Sequence, residues 1–138
     1  VGITPAAGFV GPAAAIIIGF GAGVLCFFAV DLLKHVLHVD DALDVFAVHG
    51  VGGIWGALAT GLFADTAINP AGRDGLFFGN PEQLGIQLVA VVAAAAFSVM
   101  VTAVILRLID LTIGLRVPEE DEVLGLDTSQ HGELAYRI

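Results

Sequence analysis

Three long apolar runs separated by polar loops dominate the pattern of hydrophobic and polar positions. The runs contain no Lys, Arg, Asp or Glu and cover residues 12–30, 45–64 and 84–106. A helix rises ~1.5 Å per residue, so each run is about 30 Å long or more, enough to cross the hydrocarbon core of a bilayer. We therefore predict an all-α polytopic membrane protein with three transmembrane helices, near residues 12–33, 44–64 and 82–114.

Composition and charge agree with this class. Hydrophobic residues make up 57% of the chain and charged residues only 14%, whereas soluble domains carry about 25% charged residues. The net charge of −9 is unevenly placed, because six acids lie close together after the third run: Glu119, Glu120, Asp121, Glu122, Asp127 and Glu133. This argues against a nucleic-acid partner and predicts a water-exposed tail, residues 115–138, after a membrane part, residues 1–114.

The sequence contains no motif that predicts an enzyme, a metal site or a cofactor site. There is no glycine-rich phosphate loop and no Ser/His/Asp arrangement. The single cysteine, Cys26, lies inside an apolar run and has no partner for a disulfide. We therefore expect no catalytic residue, no metal and no cofactor.

His49 is the one ionisable residue inside the second run. In one interpretation its imidazole packs against a neighbouring helix and bonds a backbone carbonyl, because an unpaired polar group in hydrocarbon is costly. In the other it faces a pathway through the protein, since ionisable residues inside membranes are functional candidates. We favour the pathway, with Val45 lining it one helical turn earlier.

Small residues recur at helical spacing in the first two runs. Gly52, Gly53 and Gly56 lie on the face of His49 and would leave room beside the ring. Gly19 and Gly23 belong to a four-residue repeat in the first run. Such spacing lets membrane helices approach closely, so we predict that these five glycines mediate helix packing.

Two acids precede the second run. Asp41 and Asp44 are spaced to accept unpaired backbone N–H groups at the start of a helix, where its dipole favours negative charge. They could equally attract cations at the mouth of a pore, and the two roles are compatible. We treat both residues as structural at the pore mouth.

The distribution of Lys and Arg predicts the orientation. Lys34 flanks the loop between the first two runs, and three arginines follow the third run: Arg107, Arg116 and Arg137. Only Arg73 lies on the other side. The positive-inside rule therefore places the 31–44 loop and the tail in the cytoplasm.

Three segments together resemble the ammonium transporter family, the Amt/Mep/Rh proteins. They are ITPAAG at residues 3–8, DDALDVFAVHGVGG at 40–53, and DLTIGLRV at 110–117 running on to GLD at 125–127 and HGELAY at 131–136. The tail is more similar to the Amt branch than to the Rh branch. The resemblance implies that the three spans are helices nine to eleven of an eleven-helix fold and that this chain is a C-terminal portion of a longer protein.

The resemblance also implies a function. Family members are homotrimers of the cell membrane that conduct ammonium or ammonia through a hydrophobic pore. His49 matches the second of two pore histidines, with Val45 beside it and Asp44 at the cytoplasmic end. The first histidine would belong to the missing N-terminal helices.

The tail resembles the family's cytoplasmic segment, near which a PII-type regulator docks in prokaryotic members. The matching tail residues, to which we assign a regulatory role, are Gly114, Leu115, Arg116, Asp127, His131 and Tyr136. Alternatives to transport are a non-conducting scaffold or ammonium-sensing module, and an Rh-type ammonia or gas channel.

Overall fold

The computed structural model describes residues 1–134 and is helical throughout, with no strand in that range. Helix α1 covers Pro12–Asp31 and continues as a π-helix, Leu32–Val36. A second π-helix, Phe46–Val51, leads into α2, Gly52–Phe63, and α3 covers Pro81–Thr112. The prediction of three helices long and apolar enough to cross a membrane is confirmed.

The helix ends differ from the expected ones for local reasons. The first span runs to Val36 because the chain continues in π-helical turns after α1. The second helix begins at Phe46 rather than 44, because Asp44 has a left-handed backbone with φ +56°. The third ends at Thr112 rather than 114, where Gly114 adopts φ +83° and donates its N–H to the carbonyl of Ile109 at 3.2 Å.

Residues Val1–Ala95 form one compact unit. Its buried centre consists of Ala6, Ile18 and Ala59, so the N-terminal 3₁₀ turn, Thr4–Ala6, packs with α1 and α2. Trp55 on α2 donates its indole N–H to the carbonyl of Ile18 on α1 at 2.9 Å. A Cβ added to Gly21 would lie 2.7 Å from the indole ring, so glycine is required there for the close approach.

The loop after α2 is tied back to the helix pair by backbone hydrogen bonds. Asp65 donates its N–H to Phe9 at 2.9 Å, and Gly75 donates to Ala64 at 2.7 Å. Asp74 accepts the N–H of Thr66 at 2.8 Å. This backbone hydrogen bond and a second bond from the Thr66 hydroxyl hold the pKa of Asp74 below its ordinary value.

The second unit is Ala96–Ile138, described to residue 134. After α3 the chain forms a short helix, α4, at Glu119–Leu124, and a π-helix at Asp127–His131. Ser129 donates its hydroxyl to the carbonyls of Asp121 and Gly125 at 3.2 and 3.1 Å. Glu119 and Glu120 of α4 are exposed.

Candidate functional site

His49 lies in the π-helix Phe46–Val51, at the start of the second span. It is exposed among the described residues, and it makes no hydrogen bond within residues 1–134. Val45, one turn earlier, is 52% exposed. The chain therefore presents an exposed histidine and a half-exposed valine one turn apart at the start of an apolar span.

The glycines near His49 divide between two faces. A Cβ added to Gly52 would lie 3.0 Å from the sulfur of Cys26 on α1, and one added to Gly56 would collide with the carbonyl oxygen of Gly2. An added Cβ at Gly53 would meet nothing within 4 Å. Gly52 and Gly56 therefore pack the helix onto α1 and the N-terminal segment, and Gly53 leaves space on the open side.

Gly19 and Gly23 do not mediate packing within residues 1–134, contrary to expectation. A Cβ added to either glycine would meet nothing within 4 Å. The face of α1 that packs onto α2 carries Ile18, Gly21 and Ala22 instead. The four-residue repeat identifies a smooth face but not the partner, so contact with a helix outside this chain stays a prediction.

The two acids before the π-helix have different partners. The carboxylate of Asp41 accepts the N–H groups of Val45 and Phe46, both at 2.8 Å. Asp44 pairs instead with the ammonium of Lys34 at 2.8 Å. The charge of Asp44 is thus largely compensated by a residue of the preceding helix, which leaves Asp41 as the acid that caps the backbone.

Sequence reasoning missed Lys34 and Cys26 as contributors to this region. We used Lys34 only to predict the orientation in the membrane. Its partner, Asp44, lies ten residues later, a separation that does not place two residues of one helix side by side. The thiol of Cys26 lies 3.6 Å from the carbonyl oxygen of Val48, the residue before His49. Neither contact leaves a sequence signal, since both depend on how α1 and the π-helix are rotated.

Five of the tail residues assigned a regulatory role lie within the described part of the tail, between Gly114 and His131. Arg116 binds Glu122 through two hydrogen bonds, at 2.9 and 3.1 Å, and this pairing lowers the pKa of Glu122. The π-helix Asp127–His131 holds two of the assigned residues, and the carbonyl of Asp127 accepts the N–H of Glu133 at 2.9 Å. Leu115 is exposed. Tyr136 and Arg137 lie outside the described residues.

Within residues 1–134, no group of three His, Cys, Asp or Glu side chains is arranged to hold a metal ion. His49 is the one ionisable side chain of the second span, and its surroundings in the sequence are apolar. Such a group can exchange a proton or contact a small polar molecule, because imidazole both donates and accepts near neutral pH.

Comparison with known proteins gives consistent matches. A family model described as Ammonium Transporter Family matches residues 1–136. The ammonium transporter of Bacillus subtilis is 53% identical, over 99% of this chain and 34% of its own length. Ammonium transporter Amt1 of Archaeoglobus fulgidus is 46% identical, over 97% of this chain and 34% of its own length.

The solved structures agree. The crystal structure of Saccharomyces cerevisiae Mep2 superposes with a TM-score of 0.80 and 38% identity, covering 86% of this chain and 28% of that one. The Candida albicans Mep2 crystal structure gives a TM-score of 0.78 at 41% identity. This chain spans about a third of the length of the curated relatives that it matches.

Proposed function

The chain belongs to the ammonium transporter family, and we propose from this that it forms part of a membrane pathway for ammonium or ammonia, with His49 facing the pore. Its three spans would be helices nine to eleven of an eleven-helix subunit, a C-terminal portion whose remaining helices complete the path. The relatives are named as transporters and not as enzymes, so a catalytic role has no support.

The proposal rests on the position of His49, its exposure and its lack of a hydrogen-bond partner among the described residues. His49 lies in an apolar span, it is exposed among the described residues, and none of them hydrogen-bonds to its side chain. A polar group in that position needs a partner, because an unpaired one in hydrocarbon costs several kcal/mol. A narrow pathway lined by helices outside this chain would supply water, substrate or a second histidine to the ring.

The chemistry of ammonium explains why a histidine is useful in an apolar pore. Ammonium and potassium are similar in size, and removing either cation from water into an apolar channel is strongly unfavourable. Ammonium alone can leave a proton behind and cross as neutral ammonia. An imidazole that takes up and returns protons near neutral pH suits this exchange, and Val45 would keep the path beside it dry.

We extend the proposal to assembly and orientation. The protein would be a homotrimer in the cell membrane, with the loop after α1 and the tail in the cytoplasm, as the Lys and Arg bias predicts. The tail would lie on a neighbouring subunit and near the docking site of a PII-type regulator. Exposed apolar residues of the tail support a packing partner, since Val123 is 84% exposed.

Variants of His49 in the full-length parent, reconstituted in liposomes, test the proposal. His49→Ala should lower ammonium flux by about tenfold or more, because the proton-exchanging group is lost. His49→Glu keeps an ionisable group in a more hydrophilic pore, so it should retain flux but admit potassium. His35→Ala is the matched control, because His35 pairs with Asp31 at 2.9 Å at the end of the first span.

Thermal stability measured on the same purified proteins separates the pore from a packing role. The pore assignment requires a loss of flux with near-normal stability. Selective, undiminished flux in a destabilised His49→Ala protein would instead mean that the imidazole only packs. If the wild-type parent did not conduct ammonium or ammonia, the proposed function would be wrong, and a non-conducting scaffold or ammonium-sensing module would be the better explanation.

A further inference from the structure

The π-helix that carries His49 is anchored to the preceding helix at its first turn. Lys34, in the π-helical extension of α1, pairs with Asp44 at 2.8 Å. Both side chains are about two-thirds covered, with 36% and 31% of their surface exposed. An ion pair shielded to this degree is less screened than one on the open surface.

Asp44 is also the residue at which the chain turns into the helix. Its backbone is left-handed, with φ +56°, a conformation that aspartate and asparagine tolerate better than most residues. Its carbonyl accepts the N–H of Val48 at 2.8 Å. The backbone of Asp44 therefore begins the first hydrogen-bonded turn before His49, and its side chain joins that turn to Lys34.

A second contact joins α1 to the same turn. The thiol of Cys26 lies 3.6 Å from the carbonyl oxygen of Val48, directly before His49. The first helix therefore touches the π-helix both at the turn that starts it and beside the histidine. These two contacts, together with the Asp41 cap, restrict the rotation of the π-helix about its axis.

We propose that the Lys34–Asp44 ion pair is a latch that sets the register of the π-helix and thereby the direction of His49. The pair would make Lys34 and Asp44 positioning residues for the pathway, and in this respect the inference rests on the proposed function. The reason is geometric: π-helical turns are rare and are often found at functional sites, and the ion pair joins the start of this one to the preceding helix. A slip of one residue would turn the His49 side chain by ~100° about the helix axis.

The test uses the full-length parent and a double-mutant cycle. Lys34→Met removes the cation, and Asp44→Asn removes the anion but keeps a residue that tolerates the left-handed backbone. Each should lower ammonium flux per folded protein by about two- to fivefold, the range expected for one partly exposed ion pair. The double variant should lose no more than either single variant, because the two changes remove one interaction.

Two variants should leave flux unchanged. Lys34→Arg retains the ion pair, and its normal flux would show that the cation, rather than the lysine stem, is needed. Asp31→Asn removes another acid at the end of α1, one that pairs with His35 rather than with Lys34. Flux equal to wild type in Lys34→Met and Asp44→Asn, or losses that multiply in the double variant, would overturn the latch.

Hydrogen exchange of the amides in 46–51 tests the latch independently of transport. Lys34→Met and Asp44→Asn should each raise exchange there by about two- to fivefold, with no change in 12–30. Unchanged exchange in 46–51 overturns the latch even in a parent that does not conduct. Faster exchange in a non-conducting parent supports the latch while removing the proposed function.

Discussion

Helices α2 and α3 are both apolar enough to span a membrane, yet only α2 is buried by the described residues. Five residues of α2 are buried, and all of them are small: Gly52, Gly56, Ala59, Thr60 and Gly61. None of the residues of α3 is buried, although its best window is the more hydrophobic of the two. Hydropathy therefore predicts which segments enter a membrane but not which of them pack on each other.

The difference follows from what drives helices together in lipid. Lipid tails solvate leucine and valine as well as another helix does, so large aliphatic side chains gain little from protein contacts. Small residues instead allow two backbones to approach and make many contacts. In α2, Gly52, Gly56 and Ala59 are spaced along one face, and Gly61 on another face meets only the first turns of α3, near Leu84. In α3 the alanines at 93–96 are consecutive and point in different directions.

Alanine substitutions at two glycines should show this difference most strongly. A Cβ at Gly56 would collide with the backbone carbonyl of Gly2, which cannot move aside without shifting the N-terminal segment. We expect Gly56→Ala to destabilise the protein by about 1–3 kcal/mol. Gly85→Ala on α3 meets nothing within 4 Å and should be neutral or stabilising by up to ~1 kcal/mol.

Thermal unfolding of both purified variants in detergent is the measurement. Equal losses of stability at the two positions would contradict the comparison, because α3 would then be as tightly packed at Gly85 as α2 is at Gly56. A stable Gly56→Ala protein would mean that the N-terminal segment does not lie on α2.

The interhelical hydrogen bond of Trp55 should have a smaller effect. Trp55→Phe keeps an aromatic ring against Gly21 but removes the N–H that bonds the carbonyl of Ile18. Hydrogen bonds between membrane helices contribute about 0.6 kcal/mol on average, so a loss of about 0.5–1 kcal/mol is expected. Phe97→Leu on α3, where the ring is 64% exposed, is the control and should change stability by less.

Thermal unfolding in detergent also measures the stability of Trp55→Phe and Phe97→Leu. A Phe97→Leu loss that equals the Trp55→Phe loss would show that the uncovered surface of α3 is engaged elsewhere in the parent. That result would sharpen the comparison by locating a packed face on α3 that the residues described here do not fill.

Features that depend on neighbouring residues could be predicted from the sequence, whereas contacts between different helices could not. The three spans are local properties of length and missing charge, and the family resemblance rests on contiguous motifs, so both could be read directly. The glycine faces were harder, because the spacing of Gly19 and Gly23 reveals a smooth surface without its partner. Only the rotation of α1 determines that Gly21 rather than these two meets α2.

The candidate site was predictable in residue type but not in geometry. His49 was identifiable as an ionisable residue in an apolar run. The π-helical turns around it and the left-handed backbone of Asp44 have no spacing signature, because an aspartate at that place equally well predicts a helix cap. The pairing of Asp44 with Lys34 could be recognised only after the two helices were placed together.

The smallest effect is expected when the pH is lowered, at two carboxylates outside the spans. They are Asp74 in the loop after α2 and Glu122 in the tail after α3. Both have a lowered pKa in the folded protein, from ordinary values of 3.8 and 4.5. A depressed folded pKa means that the ionised group stabilises the fold above its ordinary pKa, and that this contribution is lost as the pH falls through the folded value. Each contact should therefore weaken as the pH falls below the ordinary pKa of its carboxyl group.

Added salt should affect the two carboxylates differently, because different groups lower their pKa values. The Glu122 carboxylate is held chiefly by the Arg116 guanidinium, an exposed ion pair that salt screens. The Asp74 carboxylate is held by the N–H and hydroxyl of Thr66, which carry no net charge. Carboxyl carbon NMR titrations should show the Glu122 midpoint rising with added salt or in Arg116→Met, and the Asp74 midpoint rising only in Thr66→Ala. A Glu122 midpoint that ignores both salt and Arg116→Met would mean that another group holds the tail, and the contrast between a loop fixed by local hydrogen bonds and a tail fixed by charge would fail.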